Sequence, residues 1–197
     1  MKTMTINLTE YLTTHWRAVV ATLLIVFGAG GRLLLQEVPN IETIMLVSVL
    51  GGAFLGGRWG VAVAVGAVAL SDVFIGNTQI FWFTWSAWAV IGFASLLLRS
   101  SEKSSWKFPL KATGMGIAGT LFFFAWTNFG VWLEGMLYPP TMAGLMESYL
   151  MAIPFLRLHL ISSLTVVPAG AVMAVLIVRM MPLTLRSRVF GIESVTR

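Results

Sequence analysis

The sequence predicts an all-α membrane protein, a polytopic bundle of about six transmembrane helices with both termini cytoplasmic. Three observations carry this expectation. Of 197 residues, 57% are hydrophobic and 11% charged, with a mean hydropathy of +0.86, whereas a soluble domain carries about 25% charged residues. The apolar residues gather in runs separated by short polar loops, and a helix of roughly 20 apolar residues crosses hydrocarbon about 30 Å thick. The lysines and arginines fall almost entirely in alternate loops, as expected when cytoplasmic segments retain positive charge during insertion. A single membrane domain over residues 1–197 accounts for this composition.

The first apolar run covers about Val19 to Leu35, after a polar stretch from Met1 to Trp16 that holds Glu10 and does not read as a secretory signal. Gly28 to Gly31 fit close helix packing inside it. The second runs from about Ile41 to Leu55 and the third from about Val61 to Ile75. Gly52, Gly56 and Gly60 repeat at a spacing of four that lets backbones approach, and Ala62, Gly66 and Ala69 continue the pattern. Such a stripe serves either packing within the chain or docking of a partner subunit. The fourth span covers about Ile80 to Leu98, followed by the polar loop Arg99 to Lys111, and the fifth about Ala112 to Leu133. Glu134 to Arg157 is apolar but broken by Pro139, Pro140 and Pro154. It reads as a short helix on the outer surface, a lid, with a re-entrant span as the alternative, because unpaired backbone in lipid is costly. The sixth span, about Leu158 to Met181, stops at Pro182.

With both termini in the cytosol, Lys2, Arg17, Arg58, Arg99, Lys103, Lys107, Lys111, Arg179, Arg186, Arg188 and Arg197 lie inside, leaving Arg32 and Arg157 outside. Glu37, Glu42, Asp72, Glu134 and Glu147 lie outside, against Glu10, Glu102 and Glu193 inside. The net charge of +5 thus follows from topology and requires no nucleic-acid partner.

Recognisable catalysis has no support. The chain lacks the phosphate-binding G-x-x-x-x-G-K-[ST] and the zinc-binding H-E-x-x-H patterns, and it has no cysteine. His15 and His159 belong to opposite faces, and Ser162 and Ser163 lack the G-x-S-x-G elbow. The expectation is a non-enzyme without cofactor or metal.

A layer of polar and aromatic groups at the outer helix ends remains: Arg32, Asn40, Glu42, Asp72, Asn77, Gln79, Asn128, Arg157 and His159. A carboxylate within a span costs about 2.5 to 3.5 kcal/mol on insertion scales. Asp72 therefore either pairs with Arg32 or Arg157 or faces a watery cavity. Asn128 serves either as helix glue or as a ligand contact. Trp82, Trp85, Trp88, Trp126 and Trp132 crowd the fourth and fifth helices, as interfacial anchors or, for Trp82 and Trp85, as flat walls for a planar ligand. The candidate substrate-binding set is Arg32, Asn40, Asp72, Trp85, Asn128, Trp132 and His159. In it Arg32 would meet an anionic group by paired hydrogen bonds.

Pro39-Asn40, Ser71-Asp72, Thr127-Asn128-Phe129-Gly130-Val131-Trp132, Tyr138-Pro139, Gly144-Leu145 and Ala152-Ile153-Pro154-Phe155 resemble an uncharacterised prokaryotic family of six-helix membrane proteins, itself similar to the substrate-binding S components of energy-coupling-factor (ECF) transporters. The resemblance covers about Arg32 to Val167. It implies capture of an external vitamin or other micronutrient in the cytoplasmic (inner) membrane of a prokaryote, with membrane lipid, a transmembrane scaffold and two ATPases as partners. The first helix departs from the Ala-x-x-x-Ala motif that docks the scaffold, carrying Ala18 and Ala21 instead, so a solitary uptake protein stays open. The rival reading is a non-transporting assembly or structural subunit of a membrane complex.

Overall fold

A computed structural model describes residues 14–35, 37 and 43–190. The expectations placed on Asn40, Glu42 and both chain termini lie outside these residues. The described chain is helical, with no strand among the described residues.

Among the described residues eight helices follow in order: α1 (Trp16–Leu34), α2 (Ile44–Leu50, continued by the π-helical turn Gly51–Leu55), α3 (Gly57–Ile75), α4 (Phe81–Ala94, continued by the tighter turn Ser95–Leu98), α5 (Lys107–Leu133), α6 (Met142–Met151), α7 (Ile153–Met180) and α8 (Leu183–Phe190). Five are long and apolar enough to cross a membrane: α1, α3, α4 with its final turn, α5 and α7. Their outward faces carry Leu23, Phe27, Val73, Phe93, Leu110, Leu164, Met173 and Ile177, all exposed. Apolar residues on the outside of five such helices mark a multi-pass membrane protein.

The second expected span is not among these five. Ile44–Leu55 rises only about 18 Å at 1.5 Å per residue, short of the hydrocarbon thickness, and it is the most enclosed segment, with Ile44 through Val49 all buried. It forms a central pillar packed against α1, α3, α4, α5 and α7. Its glycine-rich end explains the stop. Gly56 has a positive φ of 71°, which reverses the chain into α3, and Arg99 Nη1 donates to Leu55 O at 2.8 Å, satisfying a carbonyl at the end of the π turn.

The small-residue stripe packs within the chain. A Cβ on Gly60 would lie 2.7 Å from Gly92 O and 2.8 Å from the Gly52 Cα, so α2, α3 and α4 meet backbone to backbone. Between α5 and α7, the buried hydroxyls of Thr120 and Ser163 share a hydrogen bond of 2.7 Å.

Glu134 to Arg157 divides. Gly135, at φ 67°, ends α5. The Thr141 hydroxyl then caps α6 by accepting from Gly144 N at 3.1 Å. Gly144 and Ser148 on α6, and Ala152 just beyond it, turn inward, while Met142, Met146 and Leu150 are exposed. The rest of the segment is already α7, because Pro154 sits in its first turn, where the missing N–H has no partner to lose.

The helices alternate in direction, so the chain has two distinct ends. Arg17, Arg58, Arg99, Lys103, Lys107, Lys111, Arg179 and Arg186 gather at one, the basic end; Arg32, Asp72 and α6 lie at the other. At the basic end Lys103 is buried, its ammonium donating to Leu98 O, Arg99 O and Ser101 O at 2.8, 2.7 and 2.7 Å.

Candidate functional site

Two polar clusters form at the end opposite the basic loop. In the first, Arg32 from the last turn of α1 meets Asp72 from α3, Nη1 to Oδ1, at 2.6 Å. The same nitrogen donates to Ser71 Oγ at 2.7 Å, and Trp85 Nε1 on α4 donates to Asp72 Oδ2 at 2.8 Å. Both carboxylate oxygens are therefore engaged, one by a guanidinium and one by an indole. Only 6% of the Asp72 side chain and 24% of the Arg32 side chain are exposed. A charge pair at this depth, with its oxygens satisfied, ties three helices together and lowers the cost of keeping a carboxylate in a span.

The second cluster is a cleft between the start of α4 and the outer halves of α5 and α7. Its mouth, about 330 Å³, is lined by Thr78, Gln79, Ile80, Val131, Glu134, Met136 and Leu137. An inner recess of about 150 Å³ shares Ile80 and Val131 with the mouth and continues along Phe123, Phe124, Thr127, Asn128, Ala152, Phe155, Leu156 and His159. The two cavities therefore adjoin at Ile80 and Val131. At the base of the recess, His159 is buried, its ring edge-on to Phe123 at 5.4 Å and 6.2 Å from Trp88. Asn128 Nδ2 donates to Phe124 O at 2.7 Å, while Asn128 O accepts from Ser148 Oγ on α6 at 2.9 Å. Tyr149 adds a bond from its hydroxyl to Ala125 O at 2.9 Å, so α6 is pinned to the same stretch of α5 that walls the recess.

A protein-family model matches residues 12–186, nearly the whole described chain. The chain belongs to DUF6580. This family is described as one of unknown function, and the match carries no link to S components. No curated protein and no solved structure matches the chain.

In this DUF6580 chain the expected site residues separate. Asn128 and His159 share the inner recess. Arg32, Asp72 and Trp85 belong to the ion-paired cluster and do not line the recess. Trp132 donates its indole N–H to Pro139 O and Thr141 O, both at 3.1 Å, and so holds the loop that leads into α6. Trp82 is exposed and packs on Phe81, its ring centroid 4.6 Å away, so it forms no wall with Trp85. The Thr-Asn-Phe-Gly-Val-Trp string gains a physical account: Gly130 leaves room for the Phe83 ring, Trp132 ties the loop, and Asn128 faces the cleft. The aromatic lining from Phe123, Phe124 and Phe155 was not singled out from sequence, because phenylalanine in a membrane helix carries no signal that separates a cavity wall from a lipid contact. Among the described residues, no three His, Asp or Glu side chains come together as a metal site.

Proposed function

We propose that the protein binds a small, planar, mainly uncharged solute of the micronutrient kind in the cleft between α4, α5 and α7, as the substrate-binding part of an uptake system in a prokaryotic cytoplasmic membrane. The observation that carries this reading is the pair of adjoining cavities at the end opposite the basic residues, which share Ile80 and Val131 and reach Asn128 and His159. By the retention of positive charge in the cytosol, the basic end faces inward and the cleft outward. On that orientation six helices are membrane-embedded, α2 enclosed by the others, and both termini are cytosolic. Aromatic walls with one amide and one imidazole suit stacking on a ring system and hydrogen bonding to its polar edge. Pinned beside the recess, α6 is the segment suited to act as lid.

The test is titration of the detergent-purified chain with vitamins, their precursors and metal complexes, following tryptophan fluorescence. Trp88, beside His159, is the natural reporter. A saturable change that disappears in His159→Leu, with its elution profile intact, is the expected result. Silence across the whole panel removes the reading. Co-purification from native membranes tests separately for a scaffold subunit with two ATPases.

One observation favours the rival, a structural or assembly subunit: the Arg32–Asp72–Trp85 cluster already has a stabilising use. The rival gains if Asp72→Asn fails to fold and no compound perturbs the wild type.

A further inference from the structure

At the basic end, a second cavity of about 310 Å³ lies between the start of α1, the loop after α4 and α8. Arg17, Arg99 and Lys103 line it, with Ser101 and Val189. Glu102 also lines it, and its Oε1 accepts from Ser104 Oγ at 2.9 Å. Lys111 reaches the same wall, its Nζ 3.4 Å from Ser101 Oγ. Insertion topology accounts for basic residues at this end, but dispersed positions such as the exposed Arg58 and Lys107 meet that need equally well. It does not account for three cations converging on one cavity whose lining supplies a single carboxylate, Glu102, so that two positive charges are left without an opposing charge among the lining residues. Lys103 registers the repulsion: burial first, then the charges of Arg99 and Lys111, pulls its ammonium down to about 8, against the three carbonyls that hold it.

We propose that this cavity binds a phosphate-bearing anion, either the headgroup of an anionic phospholipid or a free phosphoryl compound, with Arg17 and Arg99 as its ligands and Lys103 as a fixed positive charge behind them. A guanidinium offers parallel N–H groups that match two oxygens of a phosphate. Arg17 sits over the Trp16 ring at 5.5 Å, and Arg99 spends Nη1 on Leu55 O. Basic pockets between membrane helices on the cytoplasmic side are a recurring seat for such headgroups. The inference is independent of the solute cleft, which lies at the other end of the bundle.

The experiment uses the full chain in detergent at matched ionic strength and follows its melting temperature. Dioleoyl-phosphatidylglycerol is compared with dioleoyl-phosphatidylcholine, and inorganic phosphate with chloride. Stabilisation by phosphatidylglycerol alone names the lipid as source, and by phosphate alone the soluble anion; stabilisation by both says the phosphate group suffices. In each case Arg17→Gln weakens the apparent affinity about five-fold, the loss expected for one basic contact, while Arg58→Gln, at the same end but outside the cavity, leaves it unchanged. No stabilisation by either probe, or equal losses in the two variants, overturns the proposal. A readout on the unmodified chain covers a variant that fails to fold: phosphate, but not chloride, slows amine labelling of Lys103, because a nearby anion favours the unreactive ammonium. Labelling indifferent to phosphate and to phosphatidylglycerol also overturns it.

Discussion

Replacing Asp72 by Asn keeps the shape of the side chain but removes its charge and one of its two acceptors. Trp85 and Arg32 each hold one carboxylate oxygen, at 2.8 and 2.6 Å, and the amide has only one oxygen to offer. Breaking a fully buried pair costs about 3 to 5 kcal/mol, and an exposed pair is worth about 0 to 1 kcal/mol. With Asp72 almost enclosed and a quarter of the Arg32 side chain exposed, the loss falls between these limits, about 2 to 3 kcal/mol. At about 2 to 4 °C per kcal/mol for a chain of this size, the melting temperature should fall by roughly 4 to 12 °C. The assay is heating in detergent followed by size-exclusion chromatography. A double variant, Arg32→Met with Asp72→Asn, should lose less than the sum of the single changes, because neither charge is then stranded. A melting temperature for Asp72→Asn within about 2 °C of the wild type would refute the argument that this cluster braces the fold. If solute response were lost as well, Asp72 would become a ligand group.

Gly60→Ala should cost about 1 to 3 kcal/mol by forcing α3 away from α2 and α4, since its new methyl meets backbone atoms of Gly92 and Gly52. Gly30→Ala, with no atom within 4 Å, is the matched control and should be neutral or slightly stabilising; folded yield after extraction compares the two. Thr120→Val removes the α5–α7 hydroxyl bond and should lower stability by about 0.6 and at most about 1.7 kcal/mol in a thermal scan. Lys103 sets a pH dependence. Its folded value near 8 lies below the ordinary 10.5, so between these limits the unfolded chain binds more protons and stability rises with pH. The melting temperature of the wild type should therefore gain on that of Lys103→Met as pH is raised from about 8 toward 10.5, and a constant difference would contradict the assignment.

The helices were largely legible because the apolar runs are long, and the ends that moved did so for physical reasons. The helices α5 and α7 start at Lys107 and Ile153, earlier than expected, because an apolar yardstick stops where side chains become polar while the backbone ladder continues. Pro154 reads as a break in sequence, yet the first turn of a helix tolerates it. The nature of α2 was not legible, because an apolar run is the same whether lipid or protein covers it. At the site, sequence gave depth along the bundle but not angle around it. Arg32, Asp72, Asn128 and His159 do lie toward one end, but the angular positions of α1 and α3 join the first two 40 residues apart, while α5 and α7 join the others.

That separation changes what the cleft can hold. With Arg32 bound to Asp72, the inner recess has no guanidinium, ammonium or carboxylate among its lining residues, and the mouth carries Glu134. An anion entering would lose water without gaining a counter-charge and would pass a carboxylate on the way, and an unpaired charge in apolar surroundings is among the costliest states. The solute should therefore bind through ring stacking and a few neutral hydrogen bonds. Among chemically matched pairs, amides or alcohols should outbind the corresponding carboxylates, measured as competing displacement of any fluorescence-active compound at constant pH. A consistent preference for the carboxylates would mean that Arg32 leaves Asp72 to meet the ligand, and the braced cluster would then be a feature of the empty state alone.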